Sequence, residues 1–172
     1  MTPQPERSVT LPYRPCVGAA VFNRDGLVWI GLRSDVEAEG EGEGDWWQMP
    51  QGGLDKAEEP YKAALRELYE ETSITSVTLL REAPGWFTYD LPPELIPQSW
   101  GGRYRGQTQK WFALRFTGNE SEIDVLKPGG GRHKSEFSDW RWERLPRLPE
   151  LIVPFKREVY RQVVEAFRDL VA

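Results

Sequence analysis

The stretch "MPQGGLDKAEEPYKAALRELYEETSI", Met49 to Ile74, decides how this 172-residue chain is read. It opens on a glycine pair and runs into a helical pattern. Pro60 fits the first turn of a helix, and Glu58 and Glu59 suit its positive end. Tyr61, Leu65, Leu68 and Thr72 follow at i, i+4, i+7 and i+11, a narrow stripe that can face a core. At about 100° per residue, Glu67, Glu70 and Glu71 fall on an arc of about 100° opposite that stripe. Glu67 and Glu71 form an i,i+4 like-charge pair, which costs a few tenths of a kcal/mol. By themselves three such glutamates describe a solvated helix face.

Outward from this helix the chain alternates in character. "VGAAVFN" and "LVWIGLR" read as two strands joined by a tight Asp25-Gly26 turn. "WWQMPQGG" is a short strand running into a loop, and "SVTLL" and "WFTYDL" read as further strands. "QTQKWFALRF" has a period-two pattern that sets Trp111 and Ala113 against Phe112, Leu114 and Phe116. "SEFSDWRWERL" gives another strand. The closing "VPFKREVYRQVVEAFRDLVA" is an amphipathic helix with Val159, Val163, Phe167 and Leu170 at helical spacing. Strands interleaved with two helices predict an α/β fold, a mixed β-sheet sandwiched between α-helices.

The length suits one domain, since most run roughly 100–200 residues. Residues 1–12, Pro-rich and without an apolar run, read as a flexible arm, with the domain over 13–172. The acid-glycine alternation of 37–45 reads as a solvated loop rather than a metal site, because glycine at every second position leaves the carboxylates unfixed. A net charge of −5 argues against coating nucleic acid through a general basic field, so no DNA partner is expected. No apolar run approaches the roughly 20 residues that span a bilayer. The lone Cys16 excludes an internal disulfide framework and suits a reducing cytoplasm. With one cysteine and one histidine, His133, neither a zinc site nor a Ser-His-Asp triad can be assembled.

The context of the three glutamates changes their reading. Gly52, five residues, Glu58, seven residues, then Arg66-Glu67, an aliphatic, any residue, and Glu70-Glu71 resemble the signature box of the Nudix hydrolases. At average composition the coincidence has a chance on the order of 10⁻⁸ per start position. One position departs: Ser73 stands where the family has glycine. In a left-handed helix cap a non-glycine residue costs about 1 kcal/mol. The resemblance implies that Glu67, Glu70 and Glu71 bind Mg²⁺ or Mn²⁺, more than one ion, and that one of them takes a proton from the attacking water. Clustered carboxylates are hard oxygen ligands suited to such ions. It further implies a metal role for Gly52 and a structural ion pair between Glu58 and Arg66.

"YRPCVGAAVFN", "GQTQKWF", "EFSDWRW" and "PFKREVY" resemble one branch of that superfamily, the RNA pyrophosphohydrolases and the asymmetric dinucleoside polyphosphate hydrolases. The branch resemblance implies Glu136 as an additional metal ligand. It points to Arg14, Arg33, Lys110 and Lys156 as the cations of the phosphate path, and to Tyr89 and Phe155 as platforms for a base. The expected activity is removal of pyrophosphate from triphosphorylated RNA 5′ ends, cleavage of diadenosine tetraphosphate to ATP and AMP, or both, by a cytoplasmic monomer. A nucleotide-pool or sugar-nucleotide hydrolase is the alternative enzyme reading. A non-catalytic nucleotide-binding module is the alternative outside catalysis, and the intact box glutamates oppose it.

Overall fold

A computed structural model describes residues 10–34 and 45–171. Its frame is set by β1 (Tyr13–Phe22), which runs parallel to β7 (Gly106–Phe116) over ten paired positions, from Tyr13 opposite Gly106 to Phe22 opposite Arg115. β2 (Val28–Arg33) returns antiparallel after a turn in which Asn23 Oδ1 accepts from the amides of Asp25 and Leu27. Gly26 takes φ +76°, which explains the Asp-Gly pair. β3 (Trp47–Gln48) pairs with β2, and β4 (Gln51–Gly53) pairs with β1 at Cys16–Gly18. β5 (Val77–Glu82) and β6 (Phe87–Asp90) both pair antiparallel with β7, and β8 (Phe137–Glu143) pairs with β2. The eight strands make one mixed sheet.

Two helices cover its faces. α1 (Pro60–Thr72) buries Ala63, Ala64 and Leu68 with Val17, Ala19, Phe112 and Leu114. α2 (Arg157–Phe167) buries Val159, Val163 and Phe167 with Ala20, Phe22, Trp111 and Ala113, and Leu170 packs on the same cluster. The expected period-two split of β7 therefore divides two cores on opposite faces of the sheet. Gly18 is required on β1 because a Cβ there would enter the Trp111 ring.

Of the expected arm, residues 1–9 lie outside the described residues, whereas Leu11 packs on the core and the Pro12 carbonyl accepts from Arg105 N at 3.0 Å. The acid-glycine loop lies outside them except for Asp45. Among the described residues no helix is long and apolar enough to cross a membrane.

Candidate active site

α1 packs on the sheet against β1 and β4, and that placement buries part of its acidic arc. Ala63 and Ala64 are fully buried, Tyr61 and Leu65 only half so, and the buried face extends round to Glu71, which is 6% exposed. Short alanines let the helix roll toward the sheet and carry the arc under β4. A Cβ at Gly52 would collide with the Glu67 carboxylate, so this position needs glycine for close approach rather than for turn geometry. Gln51 N donates to Glu71 Oε1 at 3.4 Å. One turn apart on the helix, Glu71 and Glu67 bring their carboxyl groups side by side. Burial holds both carboxyl groups above the ordinary range, and the charges of Glu67 and Glu136 push Glu71 further in the same direction.

Arg66 is the hub beside this pair. Its Nε and Nη2 donate to the two oxygens of Glu58 at 2.8 and 2.9 Å, and Nη2 also reaches the Gly53 carbonyl at 2.9 Å. Nη1 donates to Glu67 Oε1 at 2.9 Å and to Glu70 Oε2 at 3.2 Å. The expected Glu58–Arg66 pair thus exists and ties β4 to α1, while Glu70 is turned onto the same guanidinium. The guanidinium hydrogen bonds hold Glu58 below the usual carboxylate range.

Glu67 and Glu71 open into a cleft of about 240 Å³. Its walls also carry Gly52, Gly53, Glu136, Arg14, Arg33 and Lys156, so seven of the sequence-expected residues meet there, joined by Gln48, Gln51, Gln107 and Trp100. Arg14 lies against Gly53, where a Cβ would strike its guanidinium, and it sits over the Trp100 ring at 5.4 Å. It also donates to Cys16 Sγ at 3.4 Å; burial pushes that thiol up to about 11, so Cys16 is a packing residue. Acidic and basic walls facing one cleft suit a phosphate chain accompanied by cations.

Three expected substrate residues, Lys110, Tyr89 and Phe155, are not part of the cleft lining. Lys110 is corrected from phosphate ligand to backbone clamp. Its Nζ donates to the carbonyls of Ala83 and Gly85 at 2.6 and 3.0 Å and lies 3.0 Å from Glu82. The strand alternation that sends Gln107 and Gln109 toward the cleft turns Lys110 to the other face. Tyr89 is 6% exposed and belongs to the core, with its ring 5.8 Å from that of Phe155. Phe155, half-buried, packs on the same cluster, and both rings lie beside the Nζ of the cleft residue Lys156, at 5.8 and 5.9 Å. Trp111 is core, whereas Trp142 is only half-buried, its Nε1 donating to Glu120 at 3.1 Å.

Residues 12–163 match the NUDIX domain family. The chain belongs to the NUDIX family. An RNA pyrophosphohydrolase of Azorhizobium caulinodans is 61% identical over 162 residues, covering 92% of this chain and 94% of that protein. An RNA pyrophosphohydrolase of Brucella anthropi is 60% identical over 164 residues, covering 95% and 94%. A solved structure of the E. coli dihydroneopterin triphosphate pyrophosphohydrolase shares the NUDIX fold with TM-score 0.64 at 21% identity, covering 90% of this chain and 98% of its own. A C. elegans Ap4A hydrolase shares it at TM-score 0.60 and 15% identity, covering 90% and 97%.

NUDIX hydrolases generally use divalent metals. The donor set here fits one: Glu67, Glu71 and Glu136 are hard oxygen ligands on one cleft, and Glu71 is buried beside the half-buried Glu67, a repulsion that a cation would relieve. Among the described residues no three acidic or histidine side chains already stand in coordination geometry. Glu70 would have to leave Arg66 to join a ligand set.

Sequence reasoning missed Trp100 and the three glutamines of the NUDIX cleft. Trp100 had a signal, since the two glycines after it mark a special backbone. Both take positive φ, and Trp100 itself stands at φ +47°. A bulky residue there is strained, and its half-buried ring is aimed at the cleft.

Proposed function

We propose that this NUDIX chain is a pyrophosphohydrolase of RNA 5′ ends that also accepts dinucleoside polyphosphates. The observation that carries the reading is the single cleft in which Glu67, Glu71 and Glu136 face Arg14, Arg33 and Lys156. Relatives at about 60% identity over nearly the whole chain are RNA pyrophosphohydrolases, which favours the RNA end as the main substrate.

Mg²⁺ or Mn²⁺, more than one ion, would be held by Glu67, Glu70, Glu71 and Glu136 beside the Gly52 backbone. When bound, such ions neutralise phosphate charge and lower the pKa of water. The chain's own residues do the rest. Arg14, Arg33 and Lys156 bind phosphate oxygens and hold the chain in line for attack. Either Glu67 or Glu71, whose proton affinity burial has raised, takes the proton from the attacking water at a carboxylate oxygen. Arg66, through Glu58 and Gly53, keeps helix and strand at the spacing this requires.

The cleft is smaller than the roughly 300–1,000 Å³ of typical small-molecule sites, so it suits the phosphates, leaving the nucleoside at its mouth. Trp100 is the ring placed to stack the base there, in the role expected of Tyr89 and Phe155. The chain acts as a cytoplasmic monomer without DNA or membrane partners. The deciding experiment compares kcat/KM for a 5′-triphosphorylated RNA oligomer and for diadenosine tetraphosphate under one Mg²⁺ condition. A clear preference for RNA supports the reading, and activity on neither substrate overturns it.

A further inference from the structure

The polar lining of the cleft that is neither acid nor cation consists of three carboxamides, Gln48, Gln51 and Gln107. The orientation of each follows from what its oxygen touches. An indole N–H can only donate, and Trp111 Nε1 donates to Gln109 Oε1 at 2.9 Å. Gln109 is left with Nε2 to give, and gives it to Gln107 Oε1 at 2.6 Å and to Gln51 Oε1 at 3.4 Å. Arg33 is also donor-only, and its Nη1 donates to Gln48 Oε1 at 3.2 Å. Turning any of these amides over would set donor against donor.

All three oxygens are therefore occupied from the protein side. None of the three Nε2 groups has an acceptor among the described residues, and none is sealed away as a buried atom without a partner. Gln48 and Gln107 are 4% and 2% exposed, so the little surface they have opens on the cleft. Three NH₂ groups, each with two N–H bonds, face a space bounded on another side by Glu67, Glu71 and Glu136.

We propose that Gln48, Gln51 and Gln107 form a donor wall, locked in polarity by Trp111 and Arg33, that binds the oxygens of the substrate's phosphate chain. It rests on the polyphosphate reading of the cleft. Phosphate oxygens only accept, so a wall that only donates matches them at every register along the chain. Neutral donors also add grip without further positive charge beside the metal-binding carboxylates. Gln109 touches no substrate; it is a positioning residue.

The test reverses the polarity. In Gln109→Glu the carboxylate accepts from Trp111 and has no N–H to pass on, so Gln107 and Gln51 turn their NH₂ groups inward and their carbonyls to the cleft. KM for diadenosine tetraphosphate should rise roughly tenfold or more per reversed amide, with kcat changed much less. Gln107→Met, which keeps the volume and removes one donor pair, should raise KM by about tenfold. In folded variants, a KM within about twofold of wild type overturns the wall.

A readout without turnover uses wild-type protein carrying ¹⁵N-glutamine. Inorganic pyrophosphate with Mg²⁺ should shift the side-chain NH₂ signals of Gln48, Gln51 and Gln107, and adenosine should not. Signals that stay in place with pyrophosphate, or that respond to adenosine instead, refute the assignment. If the wild type hydrolyses neither polyphosphate substrate, the pyrophosphohydrolase reading fails; if it does and these signals and KM values stay fixed, only the donor wall fails.

Discussion

Arg66 and Glu58 meet in a two-pronged ion pair, Nε to Oε2 at 2.8 Å and Nη2 to Oε1 at 2.9 Å, with the same guanidinium also holding the Gly53 carbonyl. Eight residues apart in sequence, they join the end of β4 to the second turn of α1. Glu58→Gln breaks the charge on one side and leaves Arg66 beside Glu67 and Glu70. Stability should fall by about 1–2 kcal/mol, and kcat by about tenfold as Glu67 loses its fixed position. Thermal melting and steady-state kinetics on one preparation measure both, and an unchanged melting point would remove the pair from the scaffold.

Glu70 is turned onto Arg66 at 3.2 Å, yet it belongs to the proposed ligand set. Glu70→Gln should therefore keep the melting temperature within a degree or two while lowering kcat at least about a hundredfold, the scale of losing metal-borne charge stabilisation. Near-wild-type turnover in Mg²⁺ would exclude Glu70 from the site.

Burial raises the Glu71 carboxyl well above its ordinary 4.5, with Glu67 raised beside it. A raised acid binds more protons folded than unfolded, so stability falls as pH climbs from the unfolded value toward the folded one. The deficit is complete above the folded value and absent below the unfolded one. Metal-free wild type should lose stability relative to Glu71→Gln as pH rises above about 4.5. Mg²⁺ should close that gap and release protons on binding. Parallel melting curves of the two proteins against pH, with and without Mg²⁺, would show whether the gap exists.

Lys110 separates a clamp from a substrate ligand. Lys110→Met leaves the Ala83 and Gly85 carbonyls without their donor, which should cost about 1–3 kcal/mol of stability. KM should stay at the wild-type value. A raised KM with unchanged melting would return Lys110 to the phosphate path.

Trp100 carries the opposite expectation. Trp100→Ala should weaken binding by the roughly 1–3 kcal/mol of one stacked base, raising KM about 5- to 150-fold, with Trp100→Phe in between. Inorganic pyrophosphate, having no base, should bind the variant as it binds wild type. Equal losses for both ligands would assign Trp100 to shaping the cleft through Arg14 instead.

Much of this was legible in the sequence because it depends on short-range periodicity. The 3.6-residue repeat placed α1 and α2, and the period-two pattern of β7 divided the two cores, while Glu67, Glu70 and Glu71 were singled out by the resemblance to the Nudix box. Tertiary packing decided what periodicity cannot see. Which way α1 rolls depends on Ala63 and Ala64 meeting the sheet, and that roll buries Glu71, which helix periodicity by itself leaves on the face opposite the apolar stripe. Lys110 and Gln109 are neighbours on one strand, and only the sheet's placement sends one to backbone carbonyls and the other toward the cleft. Ser73 stands at φ +69°, where the family's glycine avoids strain. Its Oγ donates to the Asp124 carbonyl at 3.2 Å and accepts from Gly129 N at 2.9 Å, bonds to residues more than fifty positions away that offset the cost. Local patterns determine which residues form elements; the partners that reach a side chain across the fold determine what it does.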